Sequence, residues 1–166
     1  MEVWDIYDAA GRLTGRTHRR GRPLPPGDYH LAVTITVVNS LKQVLCTLRS
    51  MKKTVFPGFW ENPGGGALSG ETSPQAAARE LMEETGICAS PEELVFLSRR
   101  RAEGFFMDVY GLVRDIPADQ LVLQPEEVEK ARWFPIDQWE QKARAREILA
   151  GDYTDEFFAA VRKLAK

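Results

Sequence analysis

The sequence predicts a domain of mixed α and β structure, either α+β or a layered α/β/α arrangement. Residues 30–39 are rich in β-branched side chains and bounded by turn formers, which is typical of a central strand. Residues 73–86 begin with Ser-Pro, continue through good helix formers and end in glycine, which indicates a helix. Residues 153–164 repeat apolar side chains at the spacing of an amphipathic helix.

Before the first helix, the chain alternates between strand-like and irregular segments. Residues 3–8 predict a short strand that ends at a turn around Ala10-Gly11. Residues 19–27 contain three prolines, so an extended loop is expected there. Residues 43–49 predict a second long strand, and residues 50–70 are expected to be irregular.

The first helix has recognisable signals at both ends. Ser73 is expected to be its N-cap, Pro74 its first residue, and Gly86 the residue that ends it. Residues 94–100 and 105–113 then predict two strands joined as a hairpin.

The remaining elements complete one unit. A polar loop at 114–130 leads to a short strand at 131–134, and Pro135 opens a helical segment. Because no repeat or linker interrupts the chain, residues 1–166 are expected to form a single domain.

Composition and charge exclude several classes of protein. The formal net charge of −2 gives no reason to expect nucleic-acid binding. No apolar run reaches the ~20 residues needed to cross a bilayer, and the first residues lack the pattern of a signal peptide. Cys46 and Cys88 provide no disulfide framework. A cytoplasmic protein with no membrane partner is expected, and the sequence leaves open whether it forms a homodimer.

Two short basic runs stand out, at residues 19–22 and 99–101. Such runs are usually solvated surface. The alternative interpretation for either run is an anionic ligand.

Three glutamates carry the main functional signal. Glu80, Glu83 and Glu84 are spaced so that all three carboxylates lie on one helix face, where like charges repel. Mg²⁺ prefers carboxylate oxygens together with water and substrate phosphate. A solvated face of an amphipathic helix is the alternative. The glycines upstream favour a site, because their backbone approaches a ligand closely and can line a phosphate and metal site.

These residues resemble the Nudix box, GX5EX7REUXEEXGU, which the chain matches at every specified position from Gly65 to Ile87. The resemblance implies an α/β/α sandwich with a mixed sheet and Mg²⁺-dependent hydrolysis of a small-molecule diphosphate, with Mn²⁺ as a substitute. It also implies that Glu80, Glu83 and Glu84 are catalytic metal ligands, joined by the carbonyl of Gly64.

The same resemblance implies roles for residues around the glutamates. Glu71 and Arg79 match a pair that braces the loop against the helix. A general base is drawn, in the family, from the box helix or from a later loop. Glu126, Glu127 and Glu129 are the loop candidates, and Glu127 is preferred as base or additional ligand, although a solvated acidic loop explains all three.

Substrate recognition is less sharply indicated. Gly65 and Gly66 are candidates to line the phosphate site, and Lys52 to meet a distal phosphate. Trp60 and Phe105 are candidates for a stacking platform. Core packing for the aromatics and a solvated position for the lysine are the alternatives.

Two competing functions belong to the same superfamily. The segment from Phe56 to Asn62 also resembles the isopentenyl-diphosphate isomerases, but residues 63–67 lack the cysteine and the metal-binding histidine of that branch. Glu103 stands alone where the isomerases carry two acids. A non-catalytic module that senses nucleotides is the other alternative, and the complete set of box glutamates disfavours it. Hydrolysis is therefore predicted, with an isoprenoid diphosphate left open as substrate.

Overall fold

The computed structural model describes residues 1–166 and consists of a mixed eight-stranded sheet, three helices and a separate hairpin. The hairpin pairs β1 (Val3–Tyr7) with β2 (Leu13–Arg19) in antiparallel orientation. The large sheet contains β3 (His30–Val38), β4 (Gln43–Arg49), β5 (Trp60–Glu61), β6 (Gly64–Gly66), β7 (Val95–Ala102), β8 (Phe105–Val113), β9 (Val128–Pro135) and β10 (Ile148–Leu149). The helices are α1 (Ser73–Thr85), α2 (Ile136–Arg144) and α3 (Asp155–Leu164).

The large sheet is mixed in direction. Its main path runs β10-β5-β4-β3-β8-β7, while β6 pairs with β3 and β9 pairs with β4. The pairs β3–β8 and β5–β10 are parallel, and the others are antiparallel. The predicted central strand is confirmed, because β3 contacts β4, β6 and β8.

Helices cover both faces of the sheet, so the predicted α/β/α sandwich is confirmed. Side chains alternate along β3: Val33 and Ile35 pack in a cluster with Leu81 of α1, on one face. On the opposite face, Trp139 of α2 and Phe157 of α3 belong to a second buried cluster. Each helix buries its apolar side against the sheet and leaves its polar side for the solvent or the site.

Helix α1 begins one residue earlier than predicted. Thr72, not Ser73, is the N-cap, with extended backbone angles, and its N–H donates to the Gln75 side chain at 2.9 Å. The Ser73 hydroxyl instead donates to Asp108 of β8 at 2.5 Å. The predicted end is confirmed, because Gly86 has φ 74° and donates its N–H to the carbonyl of Met82.

The structure corrects the prediction for residues 50–70, which contain β5 and β6. Three glycines carry no strand propensity, so β6 forms through close approach rather than through side-chain packing. A side chain on Gly64 would collide with the backbone of Val33 in β3. The two-residue strand β10 was also not predicted, and β9 begins at Val128, within the predicted loop.

Both cysteines are free thiols: Cys46 is buried and Cys88 is exposed. None of the three helices combines the length and the apolar character that crossing a bilayer requires.

Leu81 anchors α1 to the sheet, since its side chain is fully buried in the cluster on that face. We expect Leu81→Ala to lower the free energy of unfolding by about 2–5 kcal/mol, because it removes buried carbons and leaves a cavity. Met82→Ala, at an exposed position of the same helix, should change it by less than about 0.5 kcal/mol. Urea denaturation measures both values, and equal effects would contradict the packing described.

Candidate active site

A polar cavity of about 140 Å³ lies where α1 faces the glycine strand β6. No hydrophobic residue lines it. The residues around it are Glu2, Arg20, Arg49, Lys53, Gly64, Gly65, Glu80, Glu83, Glu84, Gln124 and Glu127. The cavity therefore brings together the three box glutamates, two of the glycines and the preferred loop glutamate, which are distant in sequence.

The absence of a side chain at Gly65 makes room for Glu80. A Cβ atom on Gly65 would lie 2.5 Å from the carboxylate carbon of Glu80, closer than real contacts allow. Leu81, the next residue, points into the core on the same turn of α1. The Glu80 carboxylate thus lies directly against the glycine backbone, and a side chain at position 65 would require that carboxylate to move.

Glu84 is a buried carboxylate with a single hydrogen bond. Its side chain accepts the N–H of Gly64 at 3.1 Å, and the residue is only 4% exposed. Burial raises the pKa of Glu84 well above its ordinary value, and the neighbouring carboxylates of Glu61 and Glu80 raise it further. The anionic form is therefore disfavoured unless a cation lies close by.

Arg79 connects the loop, the glycine strand and the helix. Its guanidinium donates to Glu71 at 2.6 and 3.0 Å and to the carbonyl of Gly66 at 3.0 Å. Its Nη1 donates to Glu80 at 2.9 Å and to Glu83 at 3.0 Å. Hydrogen bonds from Arg79 and from the Leu68 N–H lower the pKa of Glu71, although burial acts in the opposite direction. The sequence predicted a brace between Glu71 and Arg79, and these two residues are in direct contact.

The carboxylates do not converge on one point in this structure. Arg79 bridges Glu80 and Glu83, whereas Glu84 turns to Gly64, and no three acidic, histidine or cysteine side chains are arranged to hold a metal ion. The chemistry of the donors nevertheless fits a hard divalent cation, because Glu80, Glu83 and Glu84 contribute carboxylate oxygens to the same cavity. Arg79 contacts one oxygen of Glu80 and one oxygen of Glu83, so each carboxylate keeps a second oxygen as a potential ligand.

The comparisons with known proteins agree with this architecture. A family model described as the NUDIX domain matches residues 28–152. The chain belongs to the Nudix family. An uncharacterised Nudix hydrolase of Listeria monocytogenes is 35% identical over 165 residues, which cover 95% of this chain and 94% of that protein. The predicted family and the predicted assignment to the Nudix hydrolases are confirmed.

Two further relatives bear on the predictions. A crystal structure of a protein from Deinococcus radiodurans matches with a TM-score of 0.73 and 22% identity, covering 99% of this chain and 100% of that chain, which confirms the fold. An isopentenyl-diphosphate Delta-isomerase of Nocardia farcinica is 32% identical over 100 residues, 60% of this chain and 57% of that enzyme. The similarity to the isomerases noted in the sequence is therefore confirmed as well.

Two ion pairs of this Nudix domain border the cavity and were not predicted from the sequence. Arg49 of β4 donates to Glu61 of β5 at 2.8 Å, and both side chains are largely buried. Burial raises the pKa of Glu61 to about 7, against the opposing effect of Arg49. Lys53 forms an ion pair with Glu127. The only sequence signal for Glu61 is that a charged residue follows Trp60 in a strand-forming segment. Isolated charged residues of that kind are common.

A second cavity, of about 280 Å³, adjoins the first and shares Arg49, Gly64 and Gly65 with it. Its lining is mixed: Glu61 and Asn62 are polar, while the apolar contributors come from several elements. These are Ala32, Val33, Val55, Phe56, Met107, Leu149 and Tyr153. A ligand with its phosphates in the first cavity can therefore place another group in the second.

The remaining predicted substrate residues lie elsewhere. Lys52 is exposed and pairs with Glu126 at 2.8 Å, and Trp60 packs edge-on against Phe134. Phe105 lies 5.8 Å from the His30 ring, between ring centres. The lining of the two cavities includes none of Lys52, Trp60 and Phe105. Gly66 contacts the guanidinium of Arg79 through its carbonyl instead of lining the acidic cavity.

The raised pKa of Glu84 has a consequence for stability. In the unfolded chain, Glu84 releases its proton near its ordinary pKa of 4.5, whereas the folded protein retains that proton to higher pH. The free energy of unfolding therefore falls as the pH rises from 4.5 towards the raised pKa of the folded state. Glu84→Gln cannot titrate and keeps an acceptor for Gly64. In EDTA, we expect it to raise the unfolding midpoint more at pH 8 than at pH 5.

Thermal unfolding at both pH values measures this difference. Glu156→Gln, on the exposed side of α3, controls for the loss of one carboxylate elsewhere. If the Glu84→Gln difference were the same at pH 5 and pH 8, the buried carboxylate would not have the shifted pKa described.

Proposed function

We propose that the chain is a divalent-cation-dependent pyrophosphohydrolase that uses Mg²⁺, or Mn²⁺ in its place. Its substrate would be a nucleoside diphosphate linked to another group X, or a related organic diphosphate. The observation that supports this most strongly is the polar cavity in which Glu80 and Glu84 face the glycine strand, with Glu83 and Glu127 at its border.

The metal ligands in this proposal are Glu80, Glu83, Glu84 and the carbonyl of Gly64. Three carboxylates on one helix face repel one another, and burial makes the charge on Glu84 costly. A divalent cation offsets both effects. When bound, it neutralises phosphoryl oxygens and lowers the pKa of an attacking water.

Other residues of the chain orient the site. Arg79 holds Glu71 and the Gly66 carbonyl in fixed positions, so that it braces the glycine strand against α1. Glu127 approaches the cavity from the loop before β9 and is the proposed general base, which accepts the proton of the attacking water. Lys53 contacts the Glu127 carboxylate and so holds it at the border of the cavity.

The second cavity is the proposed position of group X. It adjoins the first cavity at Gly64 and Gly65, and its size and mixed lining suit an organic group of the size of a base or a small sugar. Lys52, Trp60 and Phe105 remain predicted substrate contacts, although neither cavity includes them: Lys52 lies in the loop after β4, whereas Trp60 and Phe105 lie in β5 and β8.

The isomerase alternative has less support. Its chemistry needs a cysteine at the site, but Cys46 is buried within the sheet and neither thiol lines either cavity. The sensor alternative is disfavoured because a module that only binds does not need all three glutamates of the box.

The proposal predicts a strict requirement for metal and for the box glutamates. With Mg²⁺ and the best substrate from a panel of dNTPs, nucleotide sugars, dinucleotides and isoprenoid diphosphates, we expect Glu83→Gln to lower kcat by about a hundredfold or more. The physical reason is that glutamine keeps the shape of the Glu83 side chain but removes the negative charge that would bind the metal ion. Glu156→Gln should retain full activity.

Phosphorus NMR of the products separates the two chemistries. Hydrolysis releases phosphate or a mononucleotide, whereas isomerisation leaves the diphosphate intact. Near-unchanged turnover of Glu83→Gln, or full turnover in EDTA, would rule out the proposed metal site.

A further inference from the structure

The N-terminal hairpin lies outside residues 28–152, which the family model matches, yet it is fixed to the glycine strand and the loop that follows it. Asp5 of β1 accepts hydrogen bonds from the Ser69 hydroxyl at 2.6 Å and from the Gly70 N–H at 2.8 Å. The Ser69 N–H also donates to the carbonyl of Val3 at 2.8 Å. Three hydrogen bonds therefore connect β1 to the loop between β6 and α1.

Packing of Trp4 reinforces this attachment. Its ring stacks on His30 of β3, with ring centroids 3.9 Å apart and an angle of 12° between the planes. A Cβ on Gly66 would lie 3.0 Å from the Trp4 ring nitrogen, so the indole packs closely against the backbone of Gly66. The hairpin is thus packed directly on the strand that borders the acidic cavity.

The hairpin ends at that cavity with Arg20, part of the basic run at residues 19–22. The Arg20 N–H donates to the carbonyl of Glu2 at 3.1 Å, and its guanidinium forms an ion pair with the Glu2 carboxylate. Both side chains line the cavity and are about half exposed. The hydrogen bond with Glu2 raises the pKa of Arg20, and the charges of Glu127 and Glu80 add to this.

Stability does not account for this arrangement. An ion pair between half-exposed side chains contributes little to folding. A guanidinium beside a cluster of carboxylates is, however, well placed for an anion that a metal ion brings to the same cavity. Its fork of N–H donors matches the oxygens of a phosphate.

We propose that Arg20 is a substrate-binding residue that donates to a non-bridging phosphate oxygen of the diphosphate. The inference rests on the proposed function, since it assigns the phosphates to the acidic cavity. On binding, the phosphate replaces the Glu2 carboxylate as the partner of Arg20. The hairpin thereby supplies a part of the active site that the matched Nudix domain alone lacks.

The test compares Arg20→Ala with Arg22→Ala, a matched change two residues away at an exposed position that does not line the cavity. Binding of methylenediphosphonate, a diphosphate that cannot be hydrolysed, is measured by calorimetry with Mg²⁺ present. We expect Arg20→Ala to weaken binding by about tenfold or more, as for the loss of a charged hydrogen bond. Arg22→Ala should bind like the unsubstituted chain, and both variants should keep its unfolding midpoint.

Kinetics provide the second measurement. With the best substrate, Arg20→Ala should raise KM by about tenfold or more and change kcat by less than about threefold. The reason is that Arg20 is proposed to bind the phosphate and not to contact the attacking water. Arg20→Lys should restore only part of the affinity, since lysine lacks the fork.

The outcomes separate this inference from the proposed function. If the unsubstituted chain hydrolyses a diphosphate and Arg20→Ala has unchanged KM and unchanged affinity for methylenediphosphonate, the role of Arg20 is wrong and the proposed function stands. If the unsubstituted chain neither hydrolyses any diphosphate of the panel nor binds methylenediphosphonate, both are wrong.

Discussion

The whole site depends on one constraint: carboxylates of like charge are held close together against a glycine backbone, which has no side chains and therefore leaves space for them. The Glu80 carboxylate fills the space that a Cβ on Gly65 would take. Glu84 is buried and accepts a hydrogen bond from the N–H of Gly64. Such an arrangement is unfavourable for the protein by itself. The fold tolerates it because Arg79 supplies one cation to the cluster and because α1 is secured by its apolar side.

The second requirement is the close approach of the glycine strand to β3. Gly64 and Gly65 pair with Thr34 and Val33, and the N-terminal hairpin packs on Gly66 from another side. The strand is thus fixed by the sheet, by the helix and by the hairpin. These contacts hold the backbone of β6 in place, although three consecutive glycines would be flexible in an isolated peptide.

Much of this could be predicted from the sequence. The helix and its glycine stop, the central strand and the hairpin of β7 and β8 follow from local propensity and periodicity, and the spacing of Glu80, Glu83 and Glu84 places them on one face. The N-cap is Thr72 rather than Ser73, and the Ser73 hydroxyl bonds to Asp108, a partner that only the folded chain brings close.

The features that the sequence did not reveal depend on distant contacts. Strands β6 and β10 exist only because β3 and β5 pair with them. The ion pair of Arg49 with Glu61 joins strands β4 and β5, and Arg20 reaches the acidic cavity from the N-terminal hairpin. The sequence could not place the candidate aromatics Trp60 and Phe105, because the same residue types stack on ligands and pack on neighbouring rings.

Binding of Mn²⁺ to the protein without substrate tests the central claim most directly. Electron paramagnetic resonance counts free Mn²⁺ in titrations of the unsubstituted chain, of Glu80→Gln and Glu84→Gln, and of Glu156→Gln as the control. The account predicts binding that Glu80→Gln and Glu84→Gln each weaken by more than about tenfold and that Glu156→Gln leaves unchanged. Equal affinity in all four proteins, or no binding by the unsubstituted chain, would contradict it.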